Sequence, residues 1–257
     1  MAQLIKLENY ISRYELDIYR YPGQFIRMKK ERWERMNAEQ GHTVGEPWPN
    51  DSEIPEWIRR EFSEDVFFFQ LRWASSTLKE KSDLNPRYKF DSWLKFFLLS
   101  FPDTYLILYH PIFQIRQAPV ELDLIIAGPM GIWLVTILES ADGTVFQGES
   151  GRFWRKIEDG RTAKVLSPML SNLRMARLVS NLLKQYEPNP LPIHRVILSP
   201  AAFIEYPDAP ADVEMIDRRN AKQWYEKMIN QPSPLKFIQL KTAGLLLRHC
   251  QTLSHER

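Results

Sequence analysis

The residue best placed for chemistry is Asp123, set in the apolar run Val120-Glu-Leu-Asp-Leu-Ile-Ile-Ala127. A charged carboxylate inside a buried strand is costly unless something pairs with it. A metal ion, a basic partner or a place at a strand end would each satisfy it. Glu121, two residues earlier, falls on the same strand face, because side chains along a strand alternate with a period of two. Other reactive patterns are missing. His42, His110, His194, His249 and His255 show no ligand spacing, no Gly-rich phosphate loop occurs, and Ser140 and Cys250 have no neighbouring base signature.

Two strands around a tight turn must hold Asp123 in place. Leu122 and Leu124 to Ile126 form one apolar run, Gly128-Pro129-Met130-Gly131 the turn, and Ile132 to Leu138 the second run. Upstream, Leu4, Leu7, Ile11, Tyr14 and Ile18 recur at spacings of three and four, which predicts a helix broken near Tyr21-Pro22-Gly23. Phe25 to Glu39 reads as a second helix, Gly41 to Pro55 as a loop, and Ile54 to Lys81 as an aromatic-rich helix whose rings pack a core rather than stack bases. A helix over Phe90–Leu99 follows, then strands at Thr104–Tyr109, Thr144–Gln147 and Phe153–Ile157. Asn172 to Gln185 is an amphipathic helix with Leu173, Ala176, Val179 and Leu183 on one face. A strand at His194–Leu198 and helices at Ala221–Ile229 and Leu235–His249 close the chain. This order suits an α/β core flanked by helices.

The order of these motifs resembles the nuclease-related domain (NERD) family: an acidic residue, Asp123, a short apolar strand, a Gly turn, and the Gly131-Ile132-Trp133 strand. The likeness continues through Asp142-Gly143, Gly151-Arg152-Phe153-Trp154 and Ser167-Pro168, over roughly residues 85 to 205. It implies the restriction-endonuclease-like mixed sheet of the PD-(D/E)XK nucleases, flanked by helices, as an 85–257 domain behind a 1–84 helical N-terminal extension. In such a site carboxylates on adjacent strands hold Mg²⁺, which activates water and neutralises charge at the scissile phosphate. Asp123 matches the family's Asp, Asp91 lies near where the family has a Glu, and Glu121 and Glu139 are the further candidate ligands. The family's Glu-x-Lys falls on Thr136-Ile137-Leu138, so a carboxylate and an ammonium are both replaced. Glu139, three residues past Thr136, points to the opposite face unless the strand has ended.

The chain has 257 residues, with 34 basic against 32 acidic, a net charge of +2. Bulk charge therefore drives no nucleic-acid binding, and any contact needs a local patch. Arg152, Arg155 and Lys156 beside and on the Phe153–Ile157 strand, with Arg174 and Arg177 on the following helix, are the candidates for a weak, salt-dependent contact with DNA phosphates. A single cysteine excludes an internal disulfide and a multi-cysteine zinc site. No secretory signal or membrane span is read, which points to a cytoplasmic protein without membrane contact. The leading expectation is a nuclease-related domain with a decayed metal site, needing no cofactor and acting in binding or interaction. Against it stand a working Mg²⁺-dependent DNA nuclease with migrated ligands Asp123 and Glu139, and a helical module that meets a protein partner, or a second copy, through its N-terminal helices.

Overall fold

The structure, a computed structural model, describes residues 1–39, 55–115, 118–187, 189–230 and 233–257. In chain order the elements are β1 (Gln3–Leu7), α1 (Arg13–Leu16), α2 (Tyr21–Glu39), α3 (Glu56–Trp73), β2 (Glu80–Lys81), α4 (Ser92–Ser100), β3 (Leu106–Tyr109), β4 (Ile112–Ile115) and β5 (Ala118–Glu121). Then come β6 (Leu124–Ala127), β7 (Ile132–Ile137), β8 (Val145–Gln147), β9 (Phe153–Glu158), β10 (Arg161–Leu166) and α5 (Pro168–Tyr186). The chain closes with β11 (Ile193–Ser199), β12 (Phe203–Glu205), β13 (Val213–Asp217), α6 (Ala221–Ile229), α7 (Phe237–Arg248) and β14 (His255–Glu256).

The Gly-Pro turn forms as read. The Gly128 amide donates to Gly131 O at 2.9 Å, and β6 pairs antiparallel with β7, Leu124 opposite Val135. Both glycines are needed for close approach. A Cβ on Gly128 would stand 2.6 Å from the Tyr105 ring, and one on Gly131 would stand 2.7 Å from the His194 ring. The central sheet is six-stranded and mixed, in the order β1-β3-β6-β7-β11-β13. β1 lies parallel to β3, and β11 parallel to both β7 and β13.

Alternation along these strands sends apolar side chains to both faces, as a sheet covered on both sides requires. Leu106, Leu108, Ile125 and Leu134 meet Met175 and Val179 of α5 and Leu246 of α7 on one face. Ile107, Ile126 and Val135 meet Leu94 and Phe97 of α4 and Trp224 of α6 on the other. A second sheet, β10-β9-β8-β12, covers one end of the first, with Phe146, Trp154 and Ile204 packed on Ile197 and Val213.

The N-terminus departs from the expectation. Leu4 and Leu7 belong to a strand and not to a helix, while Tyr14 sits in the short α1. All five β1 residues are buried, Gln3 and Lys6 included. A strand buried on both faces lacks the alternation that would reveal it, so spacings of three and four passed for a helix. Pro22 begins α2 instead of breaking a helix, since its missing N–H costs nothing in a first turn. The loop expected over Gly41 to Pro55 lies, up to residue 54, outside the described residues. In α3, Phe62, Phe67, Phe69 and Trp73 are buried in the core, as read, while Trp57 and Phe68 stay exposed and the helix ends at Trp73, short of the expected Lys81. Among the described residues no helix is long and apolar enough to cross a membrane.

Candidate functional site

The β6–β7 ladder places Asp123 one step beyond the Leu124–Val135 pair, opposite Thr136. Thr136 Oγ1 donates to Asp123 Oδ2 at 2.6 Å, and Ser171 Oγ, from the first turn of α5, donates to the same oxygen at 3.1 Å. The Asp123 carbonyl in turn accepts the His110 amide at 2.8 Å, and His110 carries a positive φ of 48°. Asp123 is thus at the entrance of β6 rather than within it, which relieves the burial cost that a mid-strand carboxylate would carry.

Behind this pair lies a fully buried amide. Asn172 Nδ2 donates to Leu134 O at 3.0 Å and Val196 O at 3.2 Å, bridging the parallel strands β7 and β11, and approaches Thr136 Oγ1 at 3.4 Å. Its Oδ1 accepts from Arg195 Nε at 2.9 Å, and Arg195 reaches Asp212 at 2.7 Å. Polar contacts therefore run from Asp123 to Asp212 across one end of the sheet. Sequence reasoning missed Ser171, Asn172 and Arg195. The signal for Asn172 was available, since it stands at helical spacing from Met175, Val179 and Leu182, all buried. Of the expected stripe, Val179 and Leu183 are buried, while Leu173 and Ala176 give way to Asn172 and Met175, one residue earlier.

Glu121 does not share a strand with Asp123. It ends β5, which pairs with β4 in a separate ladder, and its exposed carboxylate lies 3.7 Å from His110 Nδ1. The chain bends between β5 and β6, where the Leu122 amide binds Pro111 O, so the run that reads as one strand is two. Glu139 follows the end of β7 and is exposed. Because the strand has ended, Glu139 lines the same cavity of about 290 Å³ as Asp123, Thr136 and Ser171, with Trp93 and His110 on other walls. Leu138 also lines it, at the position where the resemblance implies an ammonium.

Asp91 is occupied elsewhere. It caps α4 through Leu94 N at 2.8 Å and accepts the Tyr109 hydroxyl on both oxygens, at 3.0 and 3.1 Å. Burial first, then the neighbouring Asp91 carboxylate, hold the Tyr109 hydroxyl well above its ordinary pKa, so it stays a neutral donor.

This donor set does not fit the Mg²⁺ centre that the resemblance implies. One Asp123 oxygen already takes two hydroxyl protons, the second carboxylate position holds a threonine, and Asp91 is spent on a cap. Among the described residues no three His, Cys, Asp or Glu side chains are grouped to share an ion.

Of the basic candidates, Arg152 and Arg155 are exposed beside or on β9, and Arg174 and Arg177 on α5. Arg174 also reaches Glu121 O at 3.3 Å. Lys156 pairs with Glu158 at 2.5 Å and aligns with buried Phe146, so it lies on the side of the second sheet that faces the core.

Among curated proteins, an RNA 2′,3′-cyclic phosphodiesterase of Geobacillus stearothermophilus is 42% identical over 69 residues, 23% of this chain and 22% of that protein. The chain thus spans about a fifth of that relative's length. No solved structure matches. Residues 86–200, which carry Asp91, Asp123, Thr136, Asn172 and Arg195, match the nuclease-related domain family, as the order of motifs implied.

Proposed function

We propose that this nuclease-related domain binds nucleic acid without metal-dependent phosphodiester cleavage. One observation carries the loss of cleavage: Thr136 Oγ1 hydrogen-bonds Asp123 at 2.6 Å, where the resemblance calls for a second carboxylate; the exposed Arg152, Arg155, Arg174 and Arg177 support the binding. Phosphodiester hydrolysis is intrinsically very slow, and a nuclease supplies many kcal/mol of transition-state stabilisation, largely through metal and positive charge. Thr136 brings no charge and Leu138 no cation. Asp123, held by two hydroxyls, serves here as a structural acceptor at the mouth of β6.

The test is an assay of purified protein with Mg²⁺ or Mn²⁺ on single- and double-stranded DNA and RNA. The name of the partial relative adds RNA ending in a 2′,3′-cyclic phosphate to the substrates. The expected result is no turnover above background on any of them. Cleavage that disappears in Asp123→Ala would overturn the reading. Such a result would favour a second one, motivated by Glu139 lining the Asp123 cavity: a Mg²⁺ nuclease whose ligands are Asp123 and Glu139. Calorimetry separates the two independently of turnover, because only the second reading requires divalent binding that Asp123→Ala removes.

A further inference from the structure

The second sheet turns Phe146, Trp154 and Ile204 toward the core and its other face outward. Ladder register assigns that outer face. β9 contributes Phe153, Arg155 and Ile157, β10 contributes Lys164 and Leu166, and β12 contributes Phe203 and Glu205. Phe153 is 46% exposed, with the Arg152 guanidinium 5.8 Å from its ring centroid. Phe203 has both Arg218 and Arg219 at 5.9 Å from its ring. Four residues along β9 and two strand widths across put the two rings about 16 Å apart on one side of the sheet.

Two features call for an anion on this face. Arg155 and Lys164 stand directly opposite each other in the β9–β10 ladder, a like-charge pairing that costs stability when nothing lies between the charges. Among the described residues neither is drawn into an ion pair. The acids on this side stand at its margins: Glu205 at the far end of the row, bonded by Gln147 at 3.2 Å, and Asp159 in the β9–β10 turn. At the opposite end, Leu166 lines the Asp123 cavity.

We propose that this outer face binds single-stranded nucleic acid, with bases stacking on Phe153 and Phe203 and phosphates along Arg152, Arg155 and Lys164. The inference rests on the reading of the chain as a nucleic-acid binder and adds the strandedness and the surface. Rings interleaved with cations, Phe153 exposed and Phe203 half-buried, favour unpaired bases, because every base has a face to stack and a duplex keeps those faces covered. Rings this far apart engage separate, splayed nucleotides. The strand so laid ends at the Asp123 cavity.

Fluorescence anisotropy of the full chain with a labelled twelve-nucleotide oligouridine or oligothymidine tests the surface, with a duplex of equal length in parallel. The single strand should bind at least tenfold more tightly. Phe153→Ala should weaken it by roughly fivefold or more, the range for loss of one stacked base. Phe153→Leu, which keeps apolar bulk without a π-face, should behave like the alanine variant. Arg155→Glu with Lys164→Glu should weaken binding further and flatten its salt dependence, since fewer counterions are released. Equal affinity for the duplex would overturn the proposal. So would unchanged binding in Phe153→Ala of intact fold, or displacement by inorganic polyphosphate with no effect of Phe153. Absent binding to every oligonucleotide, without cleavage, would overturn the surface together with the reading of the chain as a nucleic-acid binder, whereas duplex binding untouched by Phe153→Ala would overturn the surface alone. Cleavage of a bound oligonucleotide would overturn the non-cleaving reading and leave the surface standing.

Discussion

Asn172 shows how much one side chain carries in this molecule. Its amide joins two strands through their carbonyls, approaches the hydroxyl that holds Asp123, and orients Arg195. In Asn172→Leu the shape is nearly kept and every partner loses its bond. Buried polar groups left unsatisfied cost about 1–3 kcal/mol, so urea denaturation should show a loss of that size. An unchanged midpoint would mean that the contacts from Asp123 to Asp212 carry no stability. The Asp123–Thr136 contact was legible in the sequence, because a Gly-Pro turn between two apolar runs fixes the register that sets them opposite. The donors from α5 were not legible. Ser171 and Asn172 lie 48 and 36 residues from Asp123 and Thr136, their partners in the chain, and only tertiary packing brings them there.

At the scale of elements, strands buried on both faces were the hardest to read. β1 looks helical in the sequence because its buried polar residues find distant acceptors: Gln3 donates to Asp103 O at 2.7 Å. The β6–β7 hairpin and helices α2, α4, α5, α6 and α7 were legible, because local turns and apolar stripes are enough to specify them. The β12–β13 connection is held by Asp217, which accepts the Ile204 amide at 2.9 Å, the Arg219 amide at 2.9 Å and the Arg219 guanidinium. Burial pushes this carboxyl up, but the Arg219 guanidinium and the two amides outweigh it and leave its pKa below the ordinary value. The sign follows: the stabilisation is present above the unfolded-state pKa and is lost as pH falls through the lower folded one. Denaturation midpoints followed down from neutral pH should therefore drop in that acid window, and Asp217→Asn should flatten that limb while lowering stability at neutral pH. An acid limb unchanged by Asp217→Asn would refute the assignment.

Across the whole molecule, the N-terminal strand is fastened by a fully buried ammonium. Lys6 donates to Tyr10 O at 2.8 Å, to Thr252 Oγ1 at 2.7 Å and to the Glu15 carboxylate, which also accepts from Thr252 at 2.9 Å. Removing one partner of a buried pair leaves the other uncompensated, at about 3–5 kcal/mol. Lys6→Met should fall by that much in thermal or denaturant unfolding, and adding Glu15→Leu should recover part of it. No recovery would mean that the loss lies in packing rather than in charge. Lys6 and Thr252 are 246 positions apart in the chain. While the protein is being made, the earlier-emerging ammonium must stay hydrated until Thr252 has followed it out of the ribosome. The fastening of β1 therefore waits on a contact of very long sequence separation, and a chain cut short before Thr252 would leave the Lys6 ammonium short of a partner and the strand open to the quality-control machinery of the cell.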